Sequence, residues 1–135
     1  ESDLLVMAAA AADFKQTMVA AGKIKKASRP DAIALENTDA ILATTRGGRK
    51  KGAVIVGFAL ETDDVMAHAR EKLAAKTLDL IVVNDAREPG AGFGVDTNRV
   101  TILSPNAEPA VLPLLSKAET ADAILDRVQG LLGGR

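Results

Sequence analysis

The side chains able to do chemistry in this sequence are mostly lysines in short clusters, with acids placed beside them. Ala8 to Ala12 is an unbroken alanine run that leads into Asp13, and Lys23, Lys25 and Lys26 follow it. Small residues let another molecule approach the backbone, and the acid and the lysines set opposite charges beside that opening. The stretch therefore reads either as the wall of an anionic-ligand site or as an alanine-rich helix start with a solvated basic loop after it. Spacing alone favours the second. Lys72 and Lys76 stand four residues apart, one above the other on a helix, where they either grip a polyphosphate or sit solvated. Arg46 to Gly52, RGGRKKG, holds four basic residues in seven and reads first as a solvated loop, second as a phosphate site. Asn84-Asp85 closes an apolar run, the place where active-site loops begin in α/β folds and also where plain turns use the same residues.

Composition removes several chemistries. There is no Cys and one His, His68, so a thiol nucleophile and a Cys/His zinc site are excluded and no metal ligands are assigned. His68 lies mid-helix and reads as a surface or packing residue. Aromatics make up 2% of the 135 residues and the net charge is −1, which argues against base-stacking nucleic-acid binding and against a basic field for nucleic acid or membranes. No stretch has the length of an apolar membrane span and no signal pattern opens the chain, so the default location is the cytoplasm.

The elements that must hold these residues follow from hydrophobic patterning. Leu4 to Ala9, Ala53 to Ala59 and Leu78 to Val83 are apolar runs of the kind buried in a parallel sheet. Asp13 to Lys26 reads as a loop with at most one helical turn, Arg29-Pro30-Asp31 as a turn, Ala32 to Leu35 as a short strand, and Glu36 to Thr45 as a helix capped by Asn37 or Thr38 with Asp39 in its first turn. Thr62 is the expected cap of the next helix, with Asp63 and Asp64 in its first turn and Val65, Ala69 and Leu73 facing the sheet. Glu88 to Gly94 reads as a Pro/Gly-rich loop. Arg99 to Leu103 and Ala110 to Leu114 read as a hairpin, and Ser116 with Glu119 as a capping box opening a helix that runs to Leu132. The expected fold is α/β: a Rossmann-like parallel sheet with helices on both faces and an appended β-hairpin arm. The chain enters its first strand by Leu4, which suggests a larger domain whose earlier part is absent from this chain.

Several of these segments agree, in order, with one family. AAAAADF and KIKK resemble the A-A-V-A-D-F/Y and K-I-K-K signature of phosphopantothenate–cysteine ligases (phosphopantothenoylcysteine synthetases). IVGFALET resembles the family's V-G-F-A-A-E-T, Ala69 to Lys76 its A-R-x-K-L-x-x-K, LDLIVVND its L-D-L-I-V-A-N-D, FGVDTN its F-x-x-D-x-N, and VLPLLSK its L-P-L-x-S-K. The likeness runs from about Leu4 to about Val128.

The resemblance implies an enzyme of coenzyme A synthesis that joins 4′-phosphopantothenate to cysteine. It uses CTP in bacterial members, with magnesium on the triphosphate and an acyl-cytidylate between the two half-reactions. It implies a decarboxylase fused upstream, with FMN in that domain and not in this chain. Carried over by position, Met7, Ala8 and Ala9 offer strand-end backbone to the nucleotide, Asp13 contacts it, and Lys23 meets its phosphates and is the residue assigned to catalysis. Phe58 packs near the nucleotide, and Lys72 and Lys76 also reach CTP. The family's T-P-D-I-L aligns with Thr38 to Leu42, so Asp39, Ala40, Ile41 and Leu42 are placed at the nucleotide although proline and aspartate have become Asp39 and Ala40. Leu60 also departs from the family's alanine. The hairpin from Arg99 to Leu114 resembles the family's dimerisation arm and implies a homodimer, since its apolar strands are expected to be poorly covered in a monomer. The family's glycine-rich loop and its asparagine for the acyl-cytidylate lie upstream of what this chain contains. Two other readings stand beside the ligase: a non-catalytic nucleotide-binding or dimerisation module of the same fold, and an NADP oxidoreductase with RGGRKKG on the 2′-phosphate. The missing G-x-G-x-x-G argues against the last.

Overall fold

A computed structural model describes residues 2–26, 30–61, 63–85, 87 and 94–134. It divides into two compact units, one formed by residues 1–9 and 48–135 and the other by residues 10–47.

The larger unit is built on a five-stranded sheet. Its strands are β1 (Leu4–Met7), β4 (Val54–Glu61), β5 (Leu80–Asp85), β7 (Val100–Leu103) and β8 (Ala110–Val111), in that spatial order. β1, β4 and β5 are parallel, with Leu4 opposite Val54 and Val56 opposite Leu80. β7 joins antiparallel to β5, and β8 antiparallel to β7. The sheet is therefore mixed, with a parallel Rossmann-like half and an antiparallel flank. Beside it, β6 (Thr97–Asn98) and β9 (Leu115–Ser116) form a two-stranded pair.

The continuous apolar run in β4 is explained by double burial: Val54, Ile55 and Val56 are all nearly or wholly inaccessible. Alternation along the strand sorts their side chains to two layers. Val54 and Val56 cluster with Leu80, Val82, Val100 and Ile102 and with Ile124 and Val128 of α3 (Lys117–Gly133). Ile55, Ile81 and Leu103 are just as buried and point the other way, toward the side of α2 (Val65–Ala75), whose Ala69 and Leu73 are buried as the helical spacing requires. Gly57 falls on that second side, where a Cβ would lie 2.6 Å from Leu78 Cδ1, so the strand needs a residue without a side chain there. The Asp79 carboxylate accepts from the Ile55 amide at 2.7 Å while the Asp79 amide donates to the Ile55 carbonyl at 2.9 Å, extending the β4–β5 register.

Several elements differ from their sequence expectation. β1 stops at Met7 and is half-exposed, because among the described residues it pairs on one edge only. Asn84 and Asp85 belong to β5 itself rather than to the loop after it. β7 lies between β5 and β8 with Val100, Ile102 and Leu103 buried, so the hairpin is part of the sheet and its first strand is fully covered within one chain. That overturns the reason for expecting a poorly covered arm; only the β8 side remains open, with Val111 and Leu114 exposed. α2 begins at Val65 after Asp64, whose φ of 40° is left-handed, and no acid stands in its first turn. The Thr62 cap, the Arg29 end of the expected turn, and Glu88 to Gly92 with Phe93 lie outside the described residues.

The smaller unit departs further. Phe14–Gln16 forms β2 and Leu35–Asn37 forms β3, an antiparallel pair with Lys15 opposite Glu36, where a loop and a helix start were expected. Lys15 Nζ lies 3.4 Å from the Glu36 carboxylate, and Thr17 closes the pair by donating its amide to the Ala34 carbonyl at 3.1 Å. The expected strand at Ala32 is displaced onto Leu35. The expected helix shrinks to α1 (Ile41–Thr44), because Leu35 to Asn37 hydrogen-bond across to β2 instead. Thr38 caps nothing; its hydroxyl donates to the Ala12 carbonyl and its amide to the Asp13 carbonyl.

The start of α3 is as expected. Ser116 Oγ accepts from the Glu119 amide at 3.2 Å, and the Glu119 carboxylate accepts from the Ser116 hydroxyl at 2.6 Å and amide at 2.9 Å. These donors, the hydroxyl first, hold the Glu119 carboxyl below its ordinary range. A carboxyl lowered by folding contributes stability above its unfolded pKa and loses it as pH falls through the folded value. Ser116→Ala is expected to cost about 1 kcal/mol and to flatten the acid-side loss of stability, read by denaturant unfolding at neutral and acid pH.

Candidate functional site

The residues singled out for a nucleotide site divide between the two units, and each group is described within its own. In the sheet unit, Met7 ends β1, and Ala8 and Ala9 continue it as exposed, non-helical backbone. The alternative of an alanine-rich helix start is therefore wrong: Ala8 to Ala12 carry no helix. Exposed strand-end amides and carbonyls without bulky side chains are what backbone readout of a ligand requires, and they lie at the carboxyl end of a parallel strand.

Phe58 follows Val56 on the α3 side of β4 and packs partly buried against that cluster. It belongs to the core layer and offers a ligand only its accessible part. Lys72 and Lys76 are at the end of α2, Lys76 as its C-cap. Lys72 is not an isolated cation. Its Nζ donates to Glu61 Oε1 at 2.6 Å, and His68 Nδ1 lies 3.7 Å from Glu61 Oε2. Glu61 ends β4 on the α2 side, as alternation from Ile55 demands, and its side chain is 11% exposed. Sequence reading gave Glu61 no role. The available signal was an acid at a strand's carboxyl end followed by a helix with basic residues at i, i+4 and i+8.

Two motif segments distant in sequence also meet. Asn98 of FGVDTN donates from Nδ2 to Asn84 Oδ1 of LDLIVVND at 3.4 Å, which joins β6 to the end of β5. The RGGRKKG loop is less available than its composition suggests. Lys50 pairs with Asp3 and lowers its carboxyl pKa through that hydrogen bond, and Arg49 Nη1 donates to the Thr77 carbonyl at 3.4 Å.

In the smaller unit, Asp13 adjoins β2 and its carbonyl is held by the Thr38 amide at 2.9 Å. Lys23 lies exposed in the connection between β2 and β3, with Lys25 and Lys26 beside it. Asp39 is exposed, Ala40 is the N-cap of α1, and Ile41 and Leu42 are its first residues, Leu42 buried. The departure from T-P-D-I-L leaves the cap of α1 without a side-chain acceptor. The family's aspartate aligns with Ala40, which has no side chain to accept from the free amides of the first turn. No group of three or more His, Cys, Asp or Glu side chains able to hold a metal occurs among the described residues. No helix among them is long and apolar enough to cross a membrane.

A family profile described as the DNA/pantothenate metabolism flavoprotein C-terminal domain matches residues 1–131. The chain is 44% identical over 130 residues to the coenzyme A biosynthesis bifunctional protein CoaBC of Bacillus subtilis, covering 96% of this chain and 32% of that protein. It is 43% identical over 142 residues to the protein of that name from Mycolicibacterium smegmatis, covering 98% of this chain and 34% of that one. A cysteine/cysteine sulfinic acid decarboxylase from an unknown prokaryote is 41% identical over 132 residues, covering 98% of this chain and 37% of that protein. The chain thus spans about a third of the length of these curated relatives. Among solved structures, the C-terminal domain of a CoaBC protein superposes with a TM-score of 0.74 at 32% identity, over 98% of this chain and 56% of that one.

The vacant cap yields a prediction. Ala40→Asp should stabilise α1 locally by about 1 kcal/mol, read as slower hydrogen exchange at the Ala43 and Thr44 amides, which bond to the Ala40 carbonyl. Unchanged exchange would show that position 40 has no capping role.

Proposed function

We propose, from the premise that the chain belongs to the DNA/pantothenate metabolism flavoprotein C-terminal domain family, that it is the CTP-binding part of a phosphopantothenate–cysteine ligase of coenzyme A biosynthesis. The observation that carries this reading is the family match over residues 1–131, with the strand-end motif segments on β1, β4 and β5. In the proposed reaction a carboxylate oxygen of 4′-phosphopantothenate attacks the α-phosphorus of CTP. The new O–P bond forms as the bond to the β-phosphate oxygen breaks, releasing pyrophosphate. The cysteine amine then attacks the acyl carbon, loses a proton, and expels CMP as the acyl C–O bond breaks.

Such transfers depend on positioning and on neutralising charge rather than on covalent help from the protein. Met7, Ala8 and Ala9 supply backbone to the nucleotide, with Asp13 and the segment from Asp39 to Leu42 as further contacts. Lys23, Lys72 and Lys76 take the phosphates. Magnesium enters on the triphosphate oxygens, in keeping with its preference for substrate phosphates over an all-protein cage. The upstream part of the longer polypeptide supplies the remaining acyl-site residues, and FMN belongs to a fused decarboxylase domain. A homodimer is part of the proposal and rests on the open β8 side of the hairpin, where Val111 and Leu114 are exposed.

The non-catalytic alternative has one observation in its favour, the lost aspartate at position 40. That position is the N-cap of α1, so losing the aspartate also removes a cap acceptor. Calorimetric titration of the full-length polypeptide with CTP and with ATP, both with magnesium, tests the reading. Lys23→Ala should weaken CTP binding at least about tenfold, a difference of 1.4 kcal/mol. Equal affinity in wild type and variant would remove Lys23 from the site.

A further inference from the structure

The polar cluster at the end of β4 has its own physical logic. The Glu61 side chain is 11% exposed, so as a carboxylate it must have a partner; an almost buried charge left unpaired is expensive. It reaches two residues of α2, with Oε1 accepting from Lys72 Nζ at 2.6 Å and Oε2 facing His68 Nδ1 at 3.7 Å. The first half of β4 is buried, with Val54, Ile55 and Val56 at 0 to 3% exposure, and Glu61 stands at the end of that anchored strand. The Lys72 side chain is 43% exposed, and its Nζ donates to Glu61. An ammonium has three donors, and Glu61 occupies one.

We propose that Glu61 is a positioning residue that holds Lys72 Nζ ready for a phosphate-bearing ligand at the carboxyl end of β4. The inference rests on the proposed nucleotide reading, which places phosphate at Lys72. A free lysine loses side-chain entropy when it closes on a phosphate. One already tied to a fixed carboxylate has lost most of it beforehand, and binding is stronger by that amount. The Glu61–Lys72 pair is close to neutral, so Lys72 contributes directed hydrogen bonds, and net positive charge comes from Lys76 one turn further along α2. The arrangement follows the logic of a lysine–glutamate pair that must be in place before the lysine meets a nucleotide's phosphates.

The test uses the full-length polypeptide, titrated separately with inorganic pyrophosphate and CTP in the presence of magnesium. Glu61→Ala and Lys72→Ala should each weaken pyrophosphate about tenfold, and the double variant should be no weaker than Lys72→Ala alone, because both remove one unit. Glu61→Gln keeps an acceptor oxygen and should retain most of the affinity; it also serves if the alanine variant folds poorly. A merely structural Glu61 would lower the melting temperature without selective loss of pyrophosphate, and the two substitutions would then multiply. Tighter pyrophosphate binding by Glu61→Ala would mean that the carboxylate competes with the ligand, and it too would overturn the inference, as would a wild type that binds neither ligand. Wild type that binds pyrophosphate with the expected pattern but not CTP upholds Glu61 and removes the CTP reading.

Discussion

The burial of the first half of β4 on both faces, between β1 and β5, is the constraint on which the sheet unit depends. β1 and β5 take its edges and the α3 and α2 layers its faces, so the strand can neither slip nor twist without exposing apolar surface on one side. A one-residue shift would exchange Val54 and Val56 with Ile55 and Gly57 and would drive side chains into the space left for Leu78. The same parity that places valines under α3 places Glu61 toward α2. The position of the polar cluster is thus a consequence of the core register, and the chemistry inherits the precision of the packing.

The parallel strands and α3 were legible in the sequence because their signals are local and strong. Continuous Val/Ile runs mean double burial, and Ser116 with Glu119 spells a capping box. What was not legible was pairing. β2 and β3 are three residues each, exposed, and joined by a long connection, so neither has a hydrophobic pattern to announce it. Their partnership is made by backbone hydrogen bonds and by Thr38, which the sequence presents as a plausible helix cap. The hairpin was found, but its burial was misjudged, since nothing in RVTIL says that β5 waits on its other side.

The candidate site was legible mainly as a list of lysines and strand ends. Lys72 and Lys76 stand out by helical spacing, and Met7 to Ala9 come from the family resemblance, at the end of an apolar run. The sequence could not say that Lys72 already has a partner, because Glu61 is separated from it by a helix start and meets it only when β4 and α2 dock. Phe58, a motif aromatic expected beside the nucleotide, also packs partly buried against the core, which its place in the motif does not announce. The resemblance supplied the reaction; the structure sorts which residues stand exposed for it and which are committed to holding the fold.

The central claim is activation of a carboxylate by transfer of a cytidylyl group. Its most direct test is oxygen transfer: the full-length polypeptide is given 4′-phosphopantothenate carrying heavy oxygen in its carboxylate, with CTP and cysteine, and the CMP formed is weighed by mass spectrometry. An acyl-cytidylate must leave one labelled oxygen on the CMP phosphate when the amine breaks the acyl C–O bond. Ligation that yields unlabelled CMP, or that releases CDP and inorganic phosphate in place of CMP and pyrophosphate, would contradict the account.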